Sequence, residues 1–226
     1  MRAAALEHLA ASIAALRRDH PTRVALDGVD GSGKTTMADE LVEPLRRAGR
    51  EVIRASVDRF HNPRAVRYGR GPDSPEGYFL DSFDYAALKL ELLEPLGPQG
   101  RLKFRTALFD FRIDRAVDSP PRTAKRDAVL LFDGVFLSRP ELQAHWDLTI
   151  WLEVPFEVTM QRAVARDVRN GADADVTRAK YERRYVPGQQ LYLEQCRPRE
   201  RADIVVDNTN FDRPQIIVGA NTSRLR

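Results

Sequence analysis

The stretch from Thr22 to Leu41, TRVALDGVDGSGKTTMADEL, constrains this chain more than any other. An apolar strand pattern (Val24, Ala25, Leu26) runs into Gly28-Val29-Asp30-Gly31-Ser32-Gly33-Lys34-Thr35-Thr36, and an amphipathic helical pattern follows at once. Two glycines five positions apart, the second followed by Lys-Thr, have the spacing of a phosphate-binding loop, with a strand before and a helix after. Glycines let backbone N–H groups turn inward around a polyphosphate, where a Cβ would crowd the ligand or strain the chain. The helix that starts near Lys34 points its positive end at the same phosphates. Lys34 adds a mobile charge for the β- and γ-phosphates, and the Thr35 hydroxyl is placed to ligate Mg²⁺. A plain Gly-rich turn is the bland alternative, and the intact context on both sides weighs against it. The expected ligand is a nucleoside triphosphate, ATP or GTP, with Gly28, Asp30, Gly31, Ser32, Gly33, Lys34, Thr35 and Thr36 around its phosphates.

The remaining pattern predicts what surrounds that loop. Leu6, Leu9, Ile13 and Leu16 are helically spaced ahead of the first strand. The loop helix is expected to run to Ala48 and stop at Gly49, and Glu51 to Val57 reads as a second strand ending in Asp58. Ala128 to Phe132 and Leu148 to Val154 are continuous apolar strands, the first ending in Asp133-Gly134. Pro155 opens a helix from Phe156 to Arg169. Another helix begins near Ala174 and is expected to end or kink at Pro187-Gly188. Ile204 to Val206 reads as the last buried strand. Alternating strands and helices with apolar strands predict an α/β fold, a P-loop NTPase architecture with a mainly parallel sheet covered on both faces and a helical lid. One domain over residues 1–226 is expected, with the lid at about 162–180 and an acceptor-side segment at about 58–84.

Arg59 to Asp84 holds three prolines and three glycines among aromatics and reads as a structureless functional loop. Leu102 to Phe104 and Ala107 to Ile113 read as a short antiparallel hairpin. His8 and His20 look like surface residues.

Composition narrows the partners. A net charge of +3 from 36 basic and 33 acidic residues gives no case for nucleic acid. No apolar run approaches the roughly 20 residues of a membrane span, and the N-terminus lacks a signal-peptide core. Cys196, the single cysteine, excludes an internal disulfide and fits a reducing compartment, so a cytoplasmic protein is expected. Oligomeric state is left open. Arginine far outnumbers lysine, so an isolated arginine carries little information.

Three sets of residues suggest chemistry. Asp133, at the carboxyl end of an apolar strand, can hold Mg²⁺ directly or through water, or simply cap a turn. Asp58, at the same sheet edge, can orient an attacking hydroxyl or accept its proton, with a turn residue as the even alternative. Arg162, Arg166 and Arg169 share one helical face, either as a solvated face or as lid residues that meet a transferring phosphoryl group.

SVDRFHNPRAVRYGRGPDSPEGYFLDSFDY, LLFDGVFL, RAVARD and ADIVVDN, in that order after the loop, resemble the uridine kinase family, which groups with phosphoribulokinases and bacterial pantothenate kinases. The resemblance covers Arg23 to Asn208. It implies ATP-dependent phosphorylation of a small-molecule hydroxyl, in the first place a nucleoside 5′-hydroxyl. Asp58 would be the carboxylate that activates this hydroxyl, Asp133 the acidic residue after the third strand, and Arg162 and Arg166 the lid. Phe109-Asp110-Phe111 is similar to a segment near the nucleobase. His61, Tyr78, Phe79 and Asp81 fall on the acceptor side, where the chain departs from the family: Tyr78 stands where an aspartate grips the ribose, and Asp114 near the place of a base-reading histidine. Arg59, Arg64, Arg67 and Arg70 crowd the same segment. They are solvated, or bind the nucleotide, or meet an anionic acceptor such as a phosphorylated sugar or a pantothenate-like acid. A nucleotide-dependent switch is the alternative of another class, without the guanine-reading N-K-x-D motif to support it.

Overall fold

The computed structural model describes residues 1–218; the end of the expected domain, up to residue 226, lies outside the described residues. Six strands form the main sheet: β1 Thr22–Gly28, β2 Val52–Ser56, β3 Val129–Gly134, β4 Leu148–Glu153, β5 Ile204–Asp207 and β6 Gln215–Val218. Their order is β6-β5-β4-β1-β3-β2. All neighbouring pairs are parallel except β5 with β6, which is antiparallel. The expected mainly parallel sheet is therefore present, and β6 is an edge strand beyond the one read as last.

Side chains alternate across the strands, as a period of two requires. Val24, Leu26, Leu131, Ile150 and Val206 face one side, where α1 (Arg2–Ala15), α2 (Lys34–Glu40) and α3 (Val42–Arg47) bury Leu9, Ile13, Met37 and Leu45. Ala25, Ile53, Leu130, Phe132 and Val205 face the other, packed against aromatic residues of the acceptor side. Each fully buried Leu or Phe contributes about 1.5–3 kcal/mol, so two apolar layers hold the strand ends in fixed register. That register sets Asp133 between Leu26 and Ser56 and brings three loop-bearing strand ends to one edge.

Several expectations are corrected. Residues 59–84 are not structureless: α4 (Pro75–Asp81) starts with Ser74 accepting from the Gly77 N–H at 3.0 Å and Pro75 in the first turn, an ordinary helix start. Lys103–Phe104 and Phe109–Asp110 do not pair with each other; they pair with Arg122–Thr123 and Arg115–Ala116. In the second ribbon a tight turn at Asp114, with φ +52, gives the shorter closure. His20 is buried, its Nδ1 3.0 Å from the Pro21 carbonyl and its Nε2 3.8 Å from Asp147 Oδ1.

Nor does Pro187 end its helix. After α5 (Phe156–Arg169) and α6 (Ala174–Lys180) the chain widens into a π turn over Tyr181–Tyr185 and continues as α7 (Val186–Cys196). The Val186 N–H bonds to the Tyr181 carbonyl, and this widened ladder accommodates the missing proline donor. Among the described residues, no helix is long and apolar enough to cross a membrane.

Candidate active site

A cleft of about 730 Å³ opens at the carboxyl edge of the sheet. Its floor is the loop after β1. Gly31 (φ +79) and Gly33 (φ +94) adopt left-handed backbone, and a Cβ on Gly31 would lie 2.3 Å from the Thr159 carbonyl oxygen of α5. No larger residue fits that seat. Asn208, just past β5, donates to the Ser32 carbonyl at 2.7 Å, and Gln189 of α7 accepts from the Asp30 N–H at 2.6 Å. The loop is thus braced from both sides.

Beneath it lies a group that the sequence reading missed. Asp27 is buried and accepts from the Gly28 N–H at 2.8 Å, from the Ser138 hydroxyl at 2.8 Å and from the Tyr192 hydroxyl. Burial raises its carboxyl above the ordinary range against these hydrogen bonds. Its partners Ser138 and Tyr192 lie 111 and 165 positions away, so no local spacing signals the group.

Lys34 is buried, with Nζ 2.8 Å from the Val29 carbonyl oxygen. Desolvation lowers its pKa, and Asp30, Asp27, Asp133 and Asp58 oppose that shift. The Thr35 hydroxyl donates to Asp133 Oδ2 at 2.6 Å. Asp133 is 2% exposed, and its other oxygen accepts from Arg54 Nη2 at 2.9 Å. Among the described residues no three His, Cys, Asp or Glu side chains gather as a metal cage. Thr35 and Asp133 instead offer two hard oxygens beside a phosphate seat, a donor set that suits Mg²⁺.

Asp58 faces the same cleft from the end of β2. Although reachable by solvent, its carboxyl is pushed up to about 6, first by desolvation in the cleft and then by the Asp30 and Asp133 charges, against Lys34 and Arg166. Arg162, Arg166 and Arg169 line the opposite wall together. The guanidinium of Arg162 donates to the carbonyls of Asn208 at 3.1 Å and Thr209 at 2.7 Å. Arg166 is held by Asp167 at 2.8 Å and the Tyr181 hydroxyl at 3.0 Å. Three carboxylates and four cations thus share a cleft of the size and sign of a nucleoside triphosphate and its counter-ion.

The acceptor-side residues do not all join it. The His61 ring donates from Nδ1 to the Asp58 carbonyl at 2.9 Å and lies 4.5 Å from Phe83 and 4.7 Å from Phe111, centroid to centroid. Desolvation lowers its pKa to about 4, so the ring is neutral at neutral pH. Tyr78 does not take the place of a ribose-gripping aspartate: it is buried, and its hydroxyl donates to Asp30 Oδ2 at 2.8 Å. Phe79 and Phe109 are buried as well, and Phe79 packs on Phe136. Asp81 pairs with Arg70 at 2.7 Å. None of these five lines the cleft.

A nucleotide loop at the centre of a parallel sheet, an acidic strand end beside it and an arginine-bearing helical hairpin above define a P-loop kinase fold. The model of the Phosphoribulokinase / Uridine kinase family matches residues 24–212, and the chain belongs to that phosphotransferase family. A possible uridine kinase from Bacillus stearothermophilus is similar in structure, with a TM-score of 0.71 and 24% identity over 91% of this chain and 99% of the other. A protein assigned as a fructose transport system kinase, from a Silicibacter species, matches with a TM-score of 0.69 and 25% identity over 84% of this chain and 94% of the other. A D-glycerate 3-kinase from Cryptococcus neoformans shares the fold at 14% identity, with a TM-score of 0.63 over 95% of this chain and 99% of the other. No curated protein sequence matches.

Proposed function

We propose that this protein transfers the γ-phosphoryl group of ATP, or of GTP, to an alcohol hydroxyl of a small molecule. The observation that carries the reading is Asp58: a carboxylate from a different strand end, facing the phosphate loop, with its pKa pushed up to about 6. Its task is to orient the acceptor hydroxyl and take its proton as the oxygen–phosphorus bond forms and the bond to the β-phosphate oxygen breaks. Lys34 holds the β- and γ-phosphates, and Arg166, fixed by Tyr181 and Asp167, meets charge spreading over the γ-oxygens. Thr35 and Asp133 would hold Mg²⁺, which would supply charge neutralisation to the phosphates.

The acceptor we propose first is a nucleoside 5′-hydroxyl. The neutral His61 ring, held by the Asp58 carbonyl, and the partly exposed Phe111 ring beside it support it by offering an aromatic surface where a base could stack. A phosphorylated sugar or a pantothenate-like acid is the second reading, and one observation favours it: the cations around Tyr68, described below. Relatives named for uridine, fructose transport and D-glycerate leave this choice to experiment.

The test is transfer of labelled γ-phosphate from Mg-ATP to nucleosides, sugar phosphates and pantothenate. Labelled product is expected with at least one acceptor; ATP binding with no transfer to any of them would return the protein to a nucleotide-dependent switch. The pH profile adds a second check. A base must be ionised to work, so kcat/KM should climb with pH through an acid limb near the Asp58 value of about 6. A limb near pH 4 would assign proton acceptance to an ordinary exposed carboxylate.

A further inference from the structure

A second cavity, of about 480 Å³, lies outside the cleft, between the acceptor-side segment and α6 with the π turn after it. Arg64, Tyr68 and Pro72 form one wall, and Val176, Lys180 and Arg183 the other. Four cations surround the Tyr68 ring: Arg184 at 4.5 Å from its centroid, Arg64 at 5.4 Å, Lys180 at 5.6 Å and Arg67 at 5.7 Å.

Their counter-charges do not balance. Asp114 pairs with Arg67 at 3.2 Å but meets Arg64 only through its backbone N–H. Asp73 makes a loose 3.8 Å pair with Arg183. Arg184, 2% exposed, is satisfied by main-chain carbonyls, which leave its charge in place, and its buried Nε–H has no hydrogen-bond partner among the described residues. Arg64 and Lys180 have no carboxylate within ion-pair distance among the described residues. Five cations therefore share two carboxylates.

A solvated arginine face would look different. Arg64 and Arg183 are exposed at the cavity mouth, but the cations behind them do not diverge into water: Lys180 is half-buried, Arg67 is 12% exposed and Arg184 is fully buried. Like charges converging where solvent is partly excluded repel strongly, and an anion among them relieves that cost. Tyr68 is also prepared as a donor. Its oxygen accepts from Lys180 Nζ at 3.1 Å, so its own proton remains to be given. Burial alone would raise this phenol; the Lys180 hydrogen bond and the nearby cations outweigh burial and lower it.

We propose that this cavity is a binding site for the phosphate or carboxylate group of a small molecule, held by Arg64, Lys180, Arg183 and the Tyr68 hydroxyl. An anion there ties the acceptor-side segment to the helix whose next residue, Tyr181, braces Arg166 over the cleft. The anion is either carried by the acceptor itself or is a separate small anion acting on closure. Binding at the cavity does not depend on the kinase reading.

The experiment is calorimetric titration of the whole chain with inorganic phosphate and with ribose 5-phosphate, at constant ionic strength. A saturating non-hydrolysable Mg-ATP analogue blocks the phosphate loop. Saturable binding of at least one ligand is expected, weakened roughly tenfold or more in Arg64→Gln/Lys180→Gln and largely restored in Lys180→Arg, with melting curves to confirm folding. No saturable binding by the wild type, or equal binding by the double variant, overturns the proposal. Kinetics then separates the sources. If the anion belongs to the acceptor, the double variant raises KM for ribose 5-phosphate or pantothenate but not for ribose or pantetheine. If it is separate, inorganic phosphate changes the rate with a neutral acceptor, and the double variant loses that response. Failure to phosphorylate any acceptor would count against the kinase reading alone and leave the titration to decide this one.

Discussion

Replacing Asp58 with asparagine is expected to lower kcat by roughly 10²–10⁴-fold, the usual worth of a positioned general base. Nucleotide affinity should stay within about threefold of wild type, because the proposed reading gives the phosphates to the loop after β1, Lys34 and the arginines of α5. The amide keeps the size of the side chain and loses its basicity. It also removes one of three carboxylate charges in the cleft, so nucleotide binding should tighten slightly rather than weaken. Single-turnover transfer and a nucleotide titration on the same preparation check both halves. Turnover equal to wild type would take proton acceptance away from Asp58, and parallel loss of nucleotide binding would make it a part of the donor site instead.

The largest structural effect is expected at Arg184. This side chain is buried, and its guanidinium reaches the carbonyls of Arg67 at 2.6 Å and of Gly71 and Ser74 at 3.1 Å. It ties the loop ahead of α4 to the π turn. Arg184→Ala leaves those carbonyls without their donor and opens a cavity, a combined loss of about 3 kcal/mol after partial rescue by water. In a chain of this length that corresponds to a melting point lower by about 6–12 °C. Arg184→Lys should recover only part of this, since an ammonium cannot reproduce the planar fork. Because the affected loop belongs to the acceptor side, KM for the acceptor should rise well beyond any change in nucleotide affinity. A melting point within about 1 °C of wild type would show that the loop is held by other contacts.

How legible the molecule was from its sequence differs sharply between its two sides. The donor side was readable because its information is local. Gly28 to Thr36 is one unbroken stretch with its strand and helix attached, and the glycine positions follow from backbone conformation. Asp58 and Asp133 could be placed at the same edge because each ends a strand, and parallel neighbours bring such ends together. Arg162, Arg166 and Arg169 were found by helical spacing and do share a wall of the cleft.

The acceptor side was misread where meaning depends on distant partners. The Ser74-Pro75 helix start was overlooked among prolines and glycines that also suit a loop. Tyr78 and Phe79 looked like contact residues, yet α4 turns both inward. The arginine cluster between Arg59 and Arg70 resolves into separate cases. Arg70 is paired with Asp81, and Arg67 is paired with Asp114. Arg59 sits 3.9 Å from Asp110, while Arg64 has no carboxylate partner among the described residues. Lys180 and Arg184 joined that cluster from more than a hundred positions away, which no periodicity announces.

By itself, then, the sequence determined that the chain forms an α/β sheet around a phosphate-binding loop, and that carboxylates stand at the strand ends beside it. Those features rest on short-range rules: glycine backbone freedom, alternation along strands and spacing along helices. Only the tertiary structure decided the pairing of charges. Asp27 is buried under the loop with Tyr192 and Ser138, Arg54 holds Asp133, and four cations converge at Tyr68 with Arg183 beside the same cavity and two carboxylates to share. Ion pairs and burial depend on which surfaces meet when helices pack on the sheet. That is a property of three-dimensional proximity, carried by no local stretch of residues.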